Sequence, residues 1–313
     1  MRTKEQFLML FVLGGMMLAG LTACSGDDDT ATNDNAPQTA ADGVKVRRLT
    51  ITEADDGAAE ARQALTRASL TEDDGLTAKW TAGDKLTYCN LTRVDYGNGD
   101  APYSGGLTAA STAATSQFTG NVTCSPDDYL AVVYPATTFT TNTEYTIPLT
   151  EQDGTLEGLA TNYHYVYGRA HVTSVTETTA NATMEKMKSL LTVCKFSFKD
   201  KATDDALPIT TLEISYGGTG SDAGKYPQTA TVAISDTTEP EDVHASDTNI
   251  TAPLSISADG ATEVYVALLP TAAARTFNFT VTDDSGKTYS GTAKATLTEG
   301  EYVEATGLRL TKQ

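Results

Sequence analysis

From Trp80 onward, apolar side chains recur at every second position in short runs separated by Gly, Asp, Asn and Thr. Leu86 and Tyr88 alternate, Tyr163, Tyr165 and Tyr167 share one parity, and Leu212, Ile214 and Tyr216 alternate with Thr211, Glu213 and Ser215. Ala230, Val232 and Ile234 repeat the pattern, as do Phe277, Phe279 and Val281 before the turn sequence Asp283-Asp284-Ser285-Gly286. Period two places alternate side chains on one face of a strand, and turn residues at roughly 8–15-residue spacing break the strands apart. The run 129–134 (YLAVVY) is apolar on both faces and stops at Pro135, as a covered central strand does, and 264–269 (VYVALL) is another apolar run, ending at Pro270. Upstream, Val44 and Val46 share one parity and Leu49 and Ile51 the other, so a bulge near Arg47-Arg48 would bring all four to one face. Helical spacing is confined to Met184, Met187, Leu190 and Leu191, which predicts a short helix and marks a domain boundary. The pattern predicts an all-β chain of two β-sandwiches.

The N-terminus obeys different chemistry. Arg2 and Lys4 precede an apolar stretch, 7–18, and Leu21-Thr22-Ala23-Cys24 follows. That is a secretory signal, too short for a membrane span. Its end resembles the lipobox of bacterial lipoproteins, which implies that Cys24 is lipidated and becomes the first residue after cleavage. The acidic run Asp27-Asp28-Asp29 resembles the surface-export signal of Bacteroidota lipoproteins and implies an outer-membrane, cell-surface location. Residues 25–43 read as a polar tether, and 53–67 as a polar, weakly helical patch holding Arg62 and Arg67.

Composition narrows the partners. The 313 residues carry 41 acidic against 22 basic side chains, a net charge of -19, which disfavours nucleic acid and anionic lipid as partners. Beyond Cys24 there are three cysteines, Cys89, Cys124 and Cys194; either three buried thiols or one disulfide fits, Cys89 with Cys124 being the better pair. No cysteine or histidine spacing matches a metal site, no cofactor motif occurs, and His164, His171 and His244 read as strand or loop histidines. Asp95, Asn98 and Asp100 lack the remaining ligands of a calcium loop. No nucleophile motif is present, so catalysis is not expected.

Two groups of motifs carry a family resemblance. Leu65-Thr66-Arg67-Ala68-Ser69 is followed by Lys79-Trp80-Thr81-Ala82-Gly83-Asp84-Lys85, and Glu263 to Pro270 is followed by Asp284 to Tyr289 and Glu299-Gly300-Glu301-Tyr302. With the lipobox, this order resembles the fimbrillin-like (type V pilin) lipoproteins of Bacteroidales. The resemblance implies two transthyretin-like, Greek-key β-sandwich domains in tandem: a signal at 1–24, a propeptide at 25–67, and domains at 68–183 and 184–313. It implies that a trypsin-like protease cuts after Arg67, that Ala68 begins the mature subunit, and that the strand bearing Val44, Val46, Leu49 and Ile51 is removed. A strand from another subunit then fills the groove, and the fibre serves adhesion and biofilm. The best donor run in this chain is Tyr302 to Leu310, with Leu308 and Leu310 as its apolar pair. Trp80 fits a core anchor, with Gly83-Asp84 as the following turn; the competing reading is a sugar-stacking platform.

The alternatives are a glycan-binding surface lipoprotein and an uncleaved fimbrial anchor, which keeps its lipid. The receptor is not identified by sequence. Asp29-Thr30-Ala31 and Asp236-Thr237-Thr238 resemble the O-glycosylation sequon of Bacteroidota.

Overall fold

The computed structural model describes residues 46–53, 69–73, 75–93, 103–139, 141, 143–184 and 187–313. All of these lie in the compact unit Pro37–Gln313. Cys24, Val44, Arg62, Arg67, Ala68 and the sequon at Thr30 fall outside the described residues.

The first half contributes β1 (Val46–Glu53), β2 (Ser69–Asp73), β3 (Gly75–Lys79), β4 (Lys85–Asn90), β5 (Ser104–Ala109), β6 (Gln117–Thr123), β7 (Tyr129–Tyr134), β8 (Glu144–Pro148), helix α1 (Leu156–Asn162), β9 (Val166–Val175), β10 (Thr179–Met184) and β11 (Lys188–Ser189). Seven of these strands close on themselves. Starting at β1, the hydrogen-bonded order is β6, β5, β4, β7, β9 and β10, and β10 pairs with β1 again; β11 extends from β9. Every ladder in the ring is antiparallel except β1 on β10. The interior is filled by inward-facing side chains such as Leu49, Ile51, Leu86, Phe118, Val132 and Val172. Trp80 lies at its centre, fully buried, with Phe118 edge-on at 4.8 Å and Tyr134 at 5.5 Å. The turn after it uses Gly83 at φ +96° and an Asp84 carboxylate that accepts Thr81 N–H at 2.6 Å. Trp80 is therefore a core residue and offers no platform to a sugar.

The second half adds β12 (Thr192–Asp200), β13 (Ile209–Tyr216), β14 (Tyr226–Ala233), β15 (Ala245–Ala252), β16 (Leu254–Ala261), β17 (Val264–Leu268), β18 (Arg275–Asp283), β19 (Thr288–Ala295) and β20 (Tyr302–Lys312). One sheet runs β16-β13-β18-β19-β20-β12-β17, and a smaller one runs β15-β14-β8. Strand β8 comes from the first half of the sequence yet pairs with β14, and its Tyr145 and Ile147 enter the second hydrophobic core. The chain is thus all-β, with two barrel-like or sandwich sheet systems, as the period-two pattern predicts. The β18–β19 turn forms as expected: Gly286 has φ +76°, and Asp283 Oδ1 accepts Ser285 N–H at 2.9 Å and Lys287 N–H at 2.8 Å.

Two local expectations change. Met184 to Leu191 is not a helix: Met184 ends β10, Met184 and Met187 fill the barrel, and Leu190 and Leu191 enter the other core. Spacing that would gather four side chains on one helical face here divides them between two cores. The helix stands instead at 156–162, started by Thr155, whose hydroxyl accepts Gly158 N–H at 2.9 Å. Finally, β1 has no bulge. Its register on β6 runs unshifted from Val46↔Thr123 to Thr52↔Gln117, so Val46 lies on the face opposite Leu49 and Ile51, and Arg47 takes the inward parity. Cys89, Cys124 and Cys194 are all free thiols, and all are buried.

Candidate functional site

The slot occupied by β1 is where the expected strand removal falls. On one side β1 is antiparallel to β6, and on the other it is parallel to β10. Leu49 sits opposite Gly120 and Ala180, and Ile51 opposite Phe118 and Ala182. Gly120, Ala180 and Ala182 leave room for the branched side chains, and Leu49 and Ile51 are both fully buried. Gly120 has a steric reason to lack a side chain, since a Cβ there would meet Gly106 O at 2.4 Å and Leu107 Cδ2 at 2.9 Å. Burying each of the two aliphatic side chains stabilises the closed ring by about 1.5–3 kcal/mol. Without β1, the facing edges of β6 and β10 would carry unpaired N–H and C=O groups beside an apolar trench.

At one end of the slot, Arg47 reaches across it. Its Nε donates to Thr176 O, in the β9–β10 turn, at 2.8 Å, and its Nη1 donates to Cys124 O, just past β6. Its neighbour Arg48 is exposed and outward. The unbulged parity of Arg47 with Leu49 and Ile51 was the available signal; grouping Val44 and Val46 with the core face hid it.

The residues immediately after Ala68 form the β2–β3 hairpin, which docks on the second half of the molecule. Leu70 and Ala78 are buried there. Glu72 gathers three partners from three strands: Lys195 Nζ on β12 at 2.7 Å, Tyr302 OH on β20 at 2.8 Å, and Tyr265 OH on β17. Hydrogen bonds from Lys195, then from Tyr265 and Tyr302, lower the Glu72 carboxyl to about 2. Burial, aided by the hydrogen bond to Glu72, pushes Tyr265 up to about 12. The Lys195 ammonium is raised by the same carboxylate and also meets Glu263 at 3.2 Å. One glutamate in the acidic run Glu72-Asp73-Asp74 gave no hint of this junction.

The sequence-derived donor residues sit in β20, which pairs parallel with β12 and antiparallel with β19. Ala305 faces Phe196 and Leu308 faces Phe198, so β20 carries one extra residue, at Thr306-Gly307, where Gly307 has φ +67°. This insertion turns Leu308 and Leu310 to the face of Val303 and Ala305, opposite Tyr302. The even spacing of Tyr302, Leu308 and Leu310 in the sequence therefore does not place them on one face. Leu310 is buried, and Leu308 and Tyr302 are partly buried.

The histidines are dispersed: His164 is buried, His171 stacks on Tyr129 at 4.9 Å, and His244 bonds Glu299 at 2.7 Å. Burial raises Cys89 and Cys194 to about 12 and Cys124 to about 11, far from nucleophilic character.

No protein-family model matches the chain, and no curated protein sequence matches it significantly. Among solved structures, the chain is similar to a Bacteroides uniformis protein described as a "putative cell adhesion protein", with 15% identity and a TM-score of 0.53, covering 88% of this chain and 98% of that one. The shaft pilin SpaA of Lactobacillus rhamnosus aligns over 85% of this chain and 97% of its own at 11% identity, but its TM-score of 0.33 carries no argument. The first likeness establishes a shared fold across nearly the whole of both chains.

Proposed function

We propose that this protein is a structural, non-enzymatic subunit of a cell-surface fibre, exported as a lipoprotein through Cys24 to the outer membrane and matured by proteolysis after Arg67. Removal of the segment that ends at Arg67 takes β1 with it, and a strand of another subunit replaces it. One observation carries the reading: the last described strand before the proposed cut is the one that closes the first barrel, lying between two strands that pair with it on either side and not with each other. Strand addition to an open sheet edge joins chains through backbone hydrogen bonds and alternate side chains, with no cofactor or metal. The Glu72 junction supports the same reading, because it holds the hairpin following Ala68 to the second half of the chain and so keeps the new N-terminus in place once β1 has gone. Mature domains at 68–183 and 184–313, and service in adhesion and biofilm, belong to this proposal.

The test compares the full-length chain without its signal with the same chain cut by trypsin after Arg67. Size-exclusion chromatography should find the uncut chain monomeric and the cut chain in larger assemblies, and Arg67→Ala should stay monomeric after trypsin. Assembly of the uncut chain at the same concentration would sink the proposal. So would a lipidated Cys24, rather than Ala68, as the first residue of the protein isolated from cells, the outcome expected of an anchor or a glycan-binding lipoprotein.

A further inference from the structure

Strands β6 and β10, the two lips of the slot, run in opposite directions, because β1 is antiparallel to the first and parallel to the second. A strand entering in either direction therefore meets one parallel and one antiparallel lip. The ladders alone set no direction. Nor do Leu49 and Ile51, two aliphatic side chains two positions apart that would read alike from either end. The asymmetric feature is at the mouth, where the Arg47 guanidinium bonds the carbonyl oxygens of Thr176 and Cys124, one from beyond each lip.

We infer that these two carbonyl oxygens form a cation-reading subsite that fixes the direction and register of whatever strand fills the slot. The partner it fits is an extended segment of another subunit that carries Arg or Lys two residues from a pair of alternating aliphatic side chains. The inference rests on the strand-replacement reading above. The physical reasoning is short. The carbonyl of Cys124, a fully buried residue, keeps part of its hydrogen-bonding demand when no donor arrives, whereas that of Thr176 lies in an exposed turn and adds a second acceptor at a fixed position; a charged donor meets that demand more strongly than a neutral one. A one-residue slip would send the aliphatic pair outward, and a two-residue slip would carry the cation away from the mouth. Arg48 is a control supplied by the sequence: it is adjacent to Arg47, equally charged, outward and exposed. The pattern also reads on β20, where Leu308, Leu310 and Lys312 follow the same two-residue steps in reverse order. A tail strand of a second copy would satisfy the subsite only by running opposite to β1.

The experiment uses the full chain cut after Arg67 and fluorescent peptides of residues 44–53. Uptake is followed by polarisation and native mass spectrometry. The unmodified and Arg48→Leu peptides should bind within about twofold of each other, and the Arg47→Leu peptide should bind about tenfold or more weakly, with Arg47→Lys between them. A photo-crosslinker at position 46 should mark the region of Thr123 with the unmodified peptide and both ends of β6 with Arg47→Leu. Equal binding by the Arg47→Leu and unmodified peptides, or crosslinks confined to Thr123 with both, overturns the subsite and leaves strand replacement standing. No uptake of the unmodified peptide by a verified cut chain overturns strand replacement, and this inference with it.

Discussion

Strands β1 and β20 are built alike and situated differently. Each has one parallel and one antiparallel neighbour: β10 and β6 for β1, β12 and β19 for β20. β1 keeps an unbroken register, fully buries two aliphatic side chains, and completes a closed ring. β20 is longer, carries an extra residue at Thr306-Gly307, and among Tyr302, Leu308 and Leu310 only Leu310 is fully buried. The same pairing scheme thus yields a regular, key-like strand in one place and an adapted, locally kinked one in the other. A strand that is to be exchanged needs a regular register, because any replacement must reproduce it. A strand that stays can tolerate a bulge.

The largest effect should come from emptying the slot. Leu49→Ala or Ile51→Ala in the uncut chain should cost about 2–5 kcal/mol. Trp80, the only tryptophan and inside the same barrel, reports the loss directly in a urea titration followed by fluorescence. Leu308→Ala, at a partly buried site in β20, should cost less than either, and an equal cost would erase the distinction drawn here.

If β20 is the donor, Leu308→Asp should stop fibre growth after Arg67 cleavage while leaving circular dichroism unchanged. Normal fibres in electron micrographs would remove this tail from consideration. Leu310→Asp is the less clean variant, since Leu310 packs against Gly291, where a Cβ would lie 2.7 Å from its Cδ2, and the sheet itself would suffer.

Smaller again is the Glu72 junction. Its carboxyl falls from an ordinary 4.5 to about 2 on folding. A depressed carboxyl stabilises the fold above its unfolded value and loses that contribution as pH falls from about 4.5 through 2. Glu72→Gln should weaken hairpin docking by about 1–3 kcal/mol and flatten the acid limb of stability between those two values. An acid limb unchanged by the substitution would show that the junction does not govern it. The smallest effect concerns the thiols: Cys89 and Cys194, raised to about 12 by burial, should not react with a thiol reagent until the chain unfolds. Rapid labelling of the native protein would contradict their burial.

Strand pattern and turn chemistry were readable because alternation and Gly or Asp turns are local. Tyr129 to Tyr134 reads as a covered strand and is one, between β4 and β9. The turn at Asp283 to Gly286 and the burial of Trp80 were legible in the same way. What local pattern could not give was closure. That β8 leaves its neighbours to pair with β14 depends on partners about eighty residues away. The inward turn of Arg47 is concealed because a charged side chain beside a core is read as solvent-facing unless its carbonyl partners are known. The bulge in β20 rests on Gly307, and a single glycine in a strand of mixed polarity has no distinctive sequence context. The helical reading of 184–191 failed for a related reason, since two cores on opposite sides of a chain produce the same apolar spacing as one helical face.

One buried amide caps an edge of the larger sheet in the second half. Gln152 takes the place of a missing strand along the outer edge of β17: its Oε1 accepts Ala267 N–H at 2.8 Å, its Nε2 donates to Ala267 O at 3.0 Å, and Gly154 O accepts Tyr265 N–H at 2.8 Å. The edge is thereby closed from within the same molecule. A building block that joins others through sheet edges branches when too many edges are free, and becomes a network. If the chain is the fibre subunit proposed above, capping β17 with the Gln152 side chain and the Gly154 carbonyl removes one branch point, and its valence moves toward that of a linear polymer.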